Sequence, residues 1–203
     1  MLIEINNSNI DKRLIEDVVK KLKNGKIIIY PTDTVYAIGC DLRNKKALEK
    51  LAKFKGLQLK KTKFSIICKD LSQVSEYTKH LSQPTFKLMK RTLPGPYTYI
   101  LNASNDLSRL FSVNRKEIGI KIPDNNIVHE IVKMLGNPIV TSSLHDKEDE
   151  MLDYFINPYE IFERFDEKVG TIIDGGPGQL EASTIIDCTE EEPTLIRQGL
   201  GEI

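Results

Sequence analysis

Residues 25–40, Gly-Lys-Ile-Ile-Ile-Tyr-Pro-Thr-Asp-Thr-Val-Tyr-Ala-Ile-Gly-Cys, constrain the fold most. Ile27 to Tyr30 is a short apolar run rich in β-branched residues, which suits a strand buried on both faces. Pro31 ends it, because proline has no N–H to extend a central ladder. Thr32, Asp33, Thr34 and Tyr36 follow at once. A strand thus delivers hydroxyls and one carboxylate to a sheet edge, the place where open α/β sheets bind ligands. The same residues also suit an ordinary polar turn.

Around this stretch, apolar runs alternate with segments of helical spacing. Leu2–Ile5 reads as an edge strand. Leu14, Val18, Val19 and Leu22 give Asp11–Lys23 a helical stripe, and Asn24-Gly25 stops it. Lys45–Phe54 reads as a second helix, followed by a basic loop from Lys55 to Lys63 and a strand from Phe64 to Cys68. Short helices are predicted near Ser72 and from Pro84 to Arg91, and Leu93-Pro94-Gly95-Pro96 is a turn. Strands are predicted at 97–101, 118–122, 139–140, 169–173, 183–187 and 194–197, and helices at 125–135 and 158–165. With 203 residues, the pattern predicts one α/β domain, residues 1–203, with a twisted sheet.

Formal net charge is zero, so the chain is not broadly coated in positive charge. Residues 43–63 nevertheless hold nine Lys or Arg against Glu49 alone, and residues 146–167 hold nine acids against Lys147 and Arg164. Solvated helix faces account for either run. Cys40, Cys68 and Cys188 are three, widely spaced and without a CxxC, which predicts neither a disulfide framework nor a zinc site. No apolar run nears the roughly 18 residues of a membrane span. The start, Met1 to Ile5, has no basic region before a long apolar stretch. A cytoplasmic protein without membrane association is expected.

Several strands end in hydroxyl or basic residues: Thr32 and Thr34 follow the first, Thr141, Ser142 and Ser143 follow a later one, and Arg197 ends the last, while Ser183 and Thr184 open a late strand. With the nearby lysines they can form a phosphate or carboxylate site without a Walker loop. Each hydroxyl can equally serve only a strand end, and the lysines only a solvated face. No GxxxxGK[ST], GxGxxG after a strand, GxSxG or HxxxH is present. His145-Asp146 beside Ser142 is a poor triad, since sequence neighbours rarely make one.

Pro31-Thr32-Asp33-Thr34-Val35-Tyr36-Ala37-Ile38-Gly39-Cys40 resembles the PT(D/E)TVYGLG motif of the YrdC/YciO family, the threonylcarbamoyl-AMP synthases and their relatives. Leu93–Thr98, Gly119–Asp124, Pro138–Ser143, Ser183–Asp187 and Leu195–Gly199 resemble its further segments, so the likeness runs the whole chain. The resemblance implies a mostly mixed, twisted sheet flanked by helices around a large, positively charged cavity. It implies a nucleotidyltransferase joining L-threonine, bicarbonate and ATP into threonylcarbamoyl-AMP, with ATP arriving as its Mg²⁺ complex and no tightly bound cofactor. The product would pass to a tRNA-modifying transferase complex. Lys55, Lys63, Lys121 and Arg197 would hold phosphates and the threonine carboxylate, and Thr32, Thr34, Thr141, Ser142, Ser143 and Ser183 would line the site.

Three positions depart from the synthase pattern. Its KxR reads Lys55-Gly56-Leu57, its RxP arginine is Lys121, and its TSAN reads Thr141-Ser142-Ser143-Leu144. A lysine keeps the charge of an arginine but loses its planar fork. These departures resemble the YciO branch, for which binding to tRNA or other double-stranded RNA, with little synthase activity, is the alternative expectation.

Overall fold

The structure, a computed structural model, describes residues 1–144 and 154–202. Strand β1 (Leu2–Glu4) precedes helix α1 (Lys12–Lys23). Asp11 caps the helix by accepting from Arg13 N, and Ile15, Val18, Val19 and Leu22 form its buried stripe. Their three- and four-residue spacing turns one face inward and leaves the lysines in water. The helix stops at Asn24, and Gly25 follows at φ +74°, a left-handed conformation open to glycine at little cost.

Strand β2 (Ile28–Tyr30) is buried throughout, but it does not end at an open edge. The loop after Tyr30 turns back into β3 (Ala37–Asp41), which pairs antiparallel with β2. β3 is buried on both faces, so it has no apolar–polar alternation to reveal it. Helix α2 (Lys45–Phe54) has the predicted bounds and is capped by Asn44. Strand β4 (Ser65–Ile67) and helix α3 (Leu71–Tyr77), the short helix predicted near Ser72, follow, and Asp70 caps the helix.

Helix α4 (Gln83–Thr92) carries Pro84 in its first turn, and β5 (Tyr97–Asn102) leaves the proline turn. Helix α5 (Asn105–Phe111), unread in the sequence, is capped by Ser104 and leads to β6 (Glu117–Lys121). Helix α6 (Asn126–Leu135) lies between Asn125 and Gly136. Strand β7 (Ile139–Ser143) includes the hydroxyl triplet instead of ending before it, because Thr141, Ser142 and Ser143 keep pairing with β3. Helix α7 (Pro158–Phe165) and strands β8 (Thr171–Asp174), β9 (Thr184–Asp187) and β10 (Thr194–Arg197) follow. His145-Asp146 and the acidic run as far as Asp153 lie outside the described residues.

The ten strands form one sheet in the order β1-β8-β2-β3-β7-β4-β6-β5-β9-β10. β1–β8, β8–β2, β4–β6 and β5–β9 are parallel, and the other pairs are antiparallel. This is the α/β sheet that the sequence pattern predicted, and it is mixed, as the family resemblance implied. Successive side chains point to opposite faces and so feed two cores. Ile28, Tyr30, Ala37, Ile67 and Ile139 pack with α1 and α6, while Ile29, Ile38, Ile66, Ile120 and Val140 pack with α2, α5 and α7.

The same alternation decides where the polar strand residues go. Lys121 is paired with Ile67, and Ser65 is paired with both Thr141 and Gly119. All five therefore share the face that carries α1 and α6 elsewhere on the sheet. Among the described residues no helix is long and apolar enough to cross a membrane. Cys40, Cys68 and Cys188 are buried free thiols, as small core residues would be.

Candidate anion-binding site

The β2–β3 loop is stapled by its own hydroxyls. Thr32 Oγ1 donates to Val35 O at 2.7 Å and accepts from Thr34 N at 3.0 Å. Thr34 Oγ1 must then be the donor in its 3.1 Å contact with Thr32 Oγ1. Asp33 and Tyr36 tie this loop to two others. Asp33 Oδ2 accepts from Asp124 N at 3.0 Å, in the turn after β6. Tyr36 Oη donates to Gly176 O at 2.7 Å and accepts from Gly175 N at 3.2 Å. Burial pushes the Tyr36 phenol up to about 12, so it stays a neutral clamp.

Lys121 is the centre of the site. It is 7% exposed, and its ammonium makes no hydrogen bond or ion pair with any described residue. Burial lowers its pKa below the usual lysine range, the Asp33 carboxylate works against that, and Arg197 adds to it. Burial likewise raises the Asp33 carboxyl above the usual carboxylate range. Arg197 Nη2 donates to Ser183 O at 2.8 Å, and Ser183 Oγ shares a 2.8 Å hydrogen bond with Thr98 Oγ1. Gly119 keeps the floor beneath them low. A Cβ there would collide with Ser65 Oγ and lie 3.3 Å from Thr98 Cγ2.

A second group adjoins this floor through Ser65. Thr141 is buried, and its Oγ1 accepts from Tyr30 Oη at 2.6 Å. Lys55 Nζ donates to Ser143 O at 3.3 Å. A crevice of about 610 Å³, lined by Leu93, Pro94, Ile122, Pro123 and Asp124 among others, opens beyond the end of β6.

The structure thus gathers Lys121, Ser183 and Arg197 beside Asp33, with Thr141, Ser143 and Lys55 along the same sheet. Thr32 and Thr34 shape the neighbouring loop. Ser142 alternates to the opposite face, and Lys63 is exposed ahead of β4. Sequence reasoning placed the Asp33 carboxylate at a ligand-binding edge without naming it a site residue, and gave no role to Ser65, Thr98 or Gly119. A signal existed for two of them: a serine within Phe64-Ser65-Ile66-Ile67, and a glycine inside a strand, which often marks close approach.

Chemically, a buried cation, a guanidinium and small hydroxyls suit an anion, because a low local dielectric strengthens such pairing. Among the described residues no three His, Cys, Asp or Glu side chains converge on a point where they could hold a metal.

The family model Sua5/yciO/yrdC, described as "Telomere recombination", matches residues 20–199. The chain belongs to the Sua5/YciO/YrdC family. YciO of Escherichia coli strain K12 is 34% identical over 98% of this chain and 95% of its own. The crystal structure of E. coli YciO superposes with a TM-score of 0.89 and covers 100% of this chain and 97% of that one. A protein of Vibrio campbellii named threonylcarbamoyl-AMP synthase is 28% identical over 91% of this chain and 98% of its own. The structure of P. abyssi Sua5 complexed with L-threonine is 25% identical with a TM-score of 0.87, covering 98% of this chain and 57% of that longer one.

Proposed function

We propose that the protein is an ATP-dependent L-threonylcarbamoyladenylate synthase, converting L-threonine, bicarbonate and ATP to threonylcarbamoyl-AMP, pyrophosphate and water for tRNA modification. The observation that carries this reading is the buried Lys121 beside Arg197, on a floor of Ser65, Thr98 and Ser183. Two fixed cations suit a substrate set that brings a triphosphate and a carboxylate. Mg²⁺ accompanies the nucleotide as part of the substrate.

The chemistry asks for placement more than for covalent help. The threonine amine and bicarbonate condense to N-carboxythreonine with loss of water; a carbamate oxygen then attacks the α-phosphorus, and the bond to pyrophosphate breaks in line with it. Holding the two together removes much of the entropic barrier. Lys121 and Arg197 stabilise charge as it moves to the leaving pyrophosphate. Lys55 and Ser143 flank the same floor. The test is pyrophosphate release from ATP. Release that needs L-threonine and bicarbonate together supports the synthase, and ATP binding without release under any combination counts against it.

A second reading has its own support. Arg43, Lys45, Lys46, Lys50, Lys53, Lys60, Lys61 and Lys63 are all exposed, and the synthase asparagine is replaced by Leu144, which is 1% exposed and packed in the core. These fit a YciO-type protein that binds tRNA or another double-stranded RNA with little synthase activity. That reading predicts RNA affinity that falls steeply with salt. No binding at low salt would eliminate it.

A further inference from the structure

An anion pocket has no evident use for a carboxylate, yet the Asp33 carboxylate is anchored to the turn just after Lys121, near enough to favour its charge without a direct ion pair. Its two oxygens differ. Oδ2 accepts from Asp124 N at 3.0 Å, while Oδ1 is buried and meets no hydrogen-bond donor. Lys121 ends β6, and Asp124 lies in the turn that follows, so the bond to Asp124 N pins the backbone just beyond the lysine. Two charged groups face the ammonium. Asp33, from the β2–β3 loop, favours its charge, and Arg197, from β10, opposes it. Asp124 faces Asp33 in turn.

We propose that Asp33 is the positioning residue of Lys121, fixing the turn that carries the lysine and supplying the negative charge that keeps the buried ammonium protonated. Buried beside Arg197 alone, an amine gives up its proton readily. A neutral amine has no charge with which to hold a phosphate or carboxylate. A carboxylate next to an anion site weakens the bound anion somewhat, but it preserves the cation that the anion needs. The role rests on the anion-site part of the proposed function and not on turnover, because it concerns the free protein.

The test follows Lys121 itself. Lysines are labelled with ¹³C at Cε, the Lys121 signal is assigned with Lys121→Arg, and its titration is recorded by NMR in the wild type, Asp33→Asn and Asp33→Glu. Asparagine keeps an oxygen for Asp124 N and removes the charge. The expected result is a Lys121 midpoint lower by about one pH unit or more in Asp33→Asn, with recovery in Asp33→Glu. Inorganic pyrophosphate should then bind Asp33→Asn about tenfold more weakly at about pH 9 than at about pH 7, with little change in the wild type. A Lys121 midpoint unmoved by Asp33→Asn overturns the proposal, whatever happens to affinity.

If Asp33→Asn fails to fold, the wild type decides. The Lys121 signal must respond at the pH where the Asp33 carboxyl titrates, and a Lys121 signal indifferent to that titration overturns the proposal. A wild type that shows this coupling but releases no pyrophosphate from ATP supports the role of Asp33 and counts against the synthase.

Discussion

The Tyr30 hydroxyl donates to Thr141 Oγ1 at 2.6 Å across the strand that lies between them. β3 separates β2 from β7, and Gly39 stands at the crossing, opposite both Ile28 and Thr141. A Cβ at Gly39 would come within 2.9 Å of Tyr30 Oη and 2.6 Å of Val140 O. The phenol reaches across because position 39 has no side chain. Burial pushes the Tyr30 phenol up, so it remains a donor.

Tyr30→Phe should therefore cost about 1–2 kcal/mol, since Thr141 Oγ1 loses its partner inside the protein. Gly39→Ala should cost more, about 2 kcal/mol or above, because it overpacks the crossing and displaces the phenol. Urea unfolding of both variants measures the order. Gly39→Ala milder than Tyr30→Phe would contradict the crossing.

Lys121 burdens the fold while serving the site. Lys121→Met replaces a charged side chain that is only 7% exposed with an apolar one of similar length. Stability should hold or rise by about 1 kcal/mol, as when buried charges give way to apolar groups. Pyrophosphate affinity should fall about tenfold or more, the worth of a charged hydrogen bond. Calorimetry with paired unfolding curves reads both effects, and a variant that loses stability but keeps affinity would refute this assignment.

Stability should depend on pH through Asp33. Burial raises its folded carboxyl above the unfolded value of about 3.9. The contribution is complete below that value and is lost as pH rises through the folded one, where the native carboxyl must ionise. Asp33→Asn cannot ionise, so it should gain on the wild type as pH climbs from about 4 toward 7. Denaturation midpoints across that range provide the check, and a constant difference would rule the effect out.

Arg115 holds the basic loop. Its Nη2 donates to Leu59 O at 3.1 Å, its guanidinium lies 4.1 Å from the Phe111 ring centroid, and its Nε is buried without a partner. Burial lowers it to about 10. Arg115→Ala should cost about 2 kcal/mol and free the single 3₁₀ turn Leu59–Lys61. Limited trypsin digestion should then cut after Lys60 and Lys61 faster than in the wild type, and equal rates would argue that the loop is held elsewhere.

Two of the three departures from the synthase pattern, Leu57 and Leu144, should respond differently to reversal. Leu57 is 48% exposed, so Leu57→Arg should change stability by less than about 0.5 kcal/mol. On the synthase reading it should also tighten ATP binding. Leu144→Asn places an amide in the core and should cost about 2 kcal/mol. Calorimetric titration with ATP and melting curves separate the two positions.

Much of this was legible in the sequence because it is local. The stripe of α1, its Asp11 cap and the stop at Gly25 need only neighbouring residues, as do the bounds of α2. β3 was not legible, since Ala37–Asp41 is buried on both faces and shows no period. α5 was missed at seven residues, too short for a helical stripe to stand out. The grouping of Lys121, Ser183 and Arg197 follows from sheet order, which no local pattern encodes. Ser142 and Ser143, adjacent in sequence, part to opposite faces by strand alternation alone, once β7 is known to extend through them.

The hydrogen bond between Thr98 and Ser183 joins residues 85 positions apart, through the parallel pairing of β5 and β9. Closing so long a loop is an entropically late event in folding. The cationic floor thus comes into being only as the native state does, and a ligand has nothing to grip in the chain beforehand. If this contact forms after the folding transition state, pyrophosphate added to the protein should slow unfolding and leave the rate of folding unchanged. Occupancy would then lengthen the lifetime of the folded protein without helping any newly made chain to reach it.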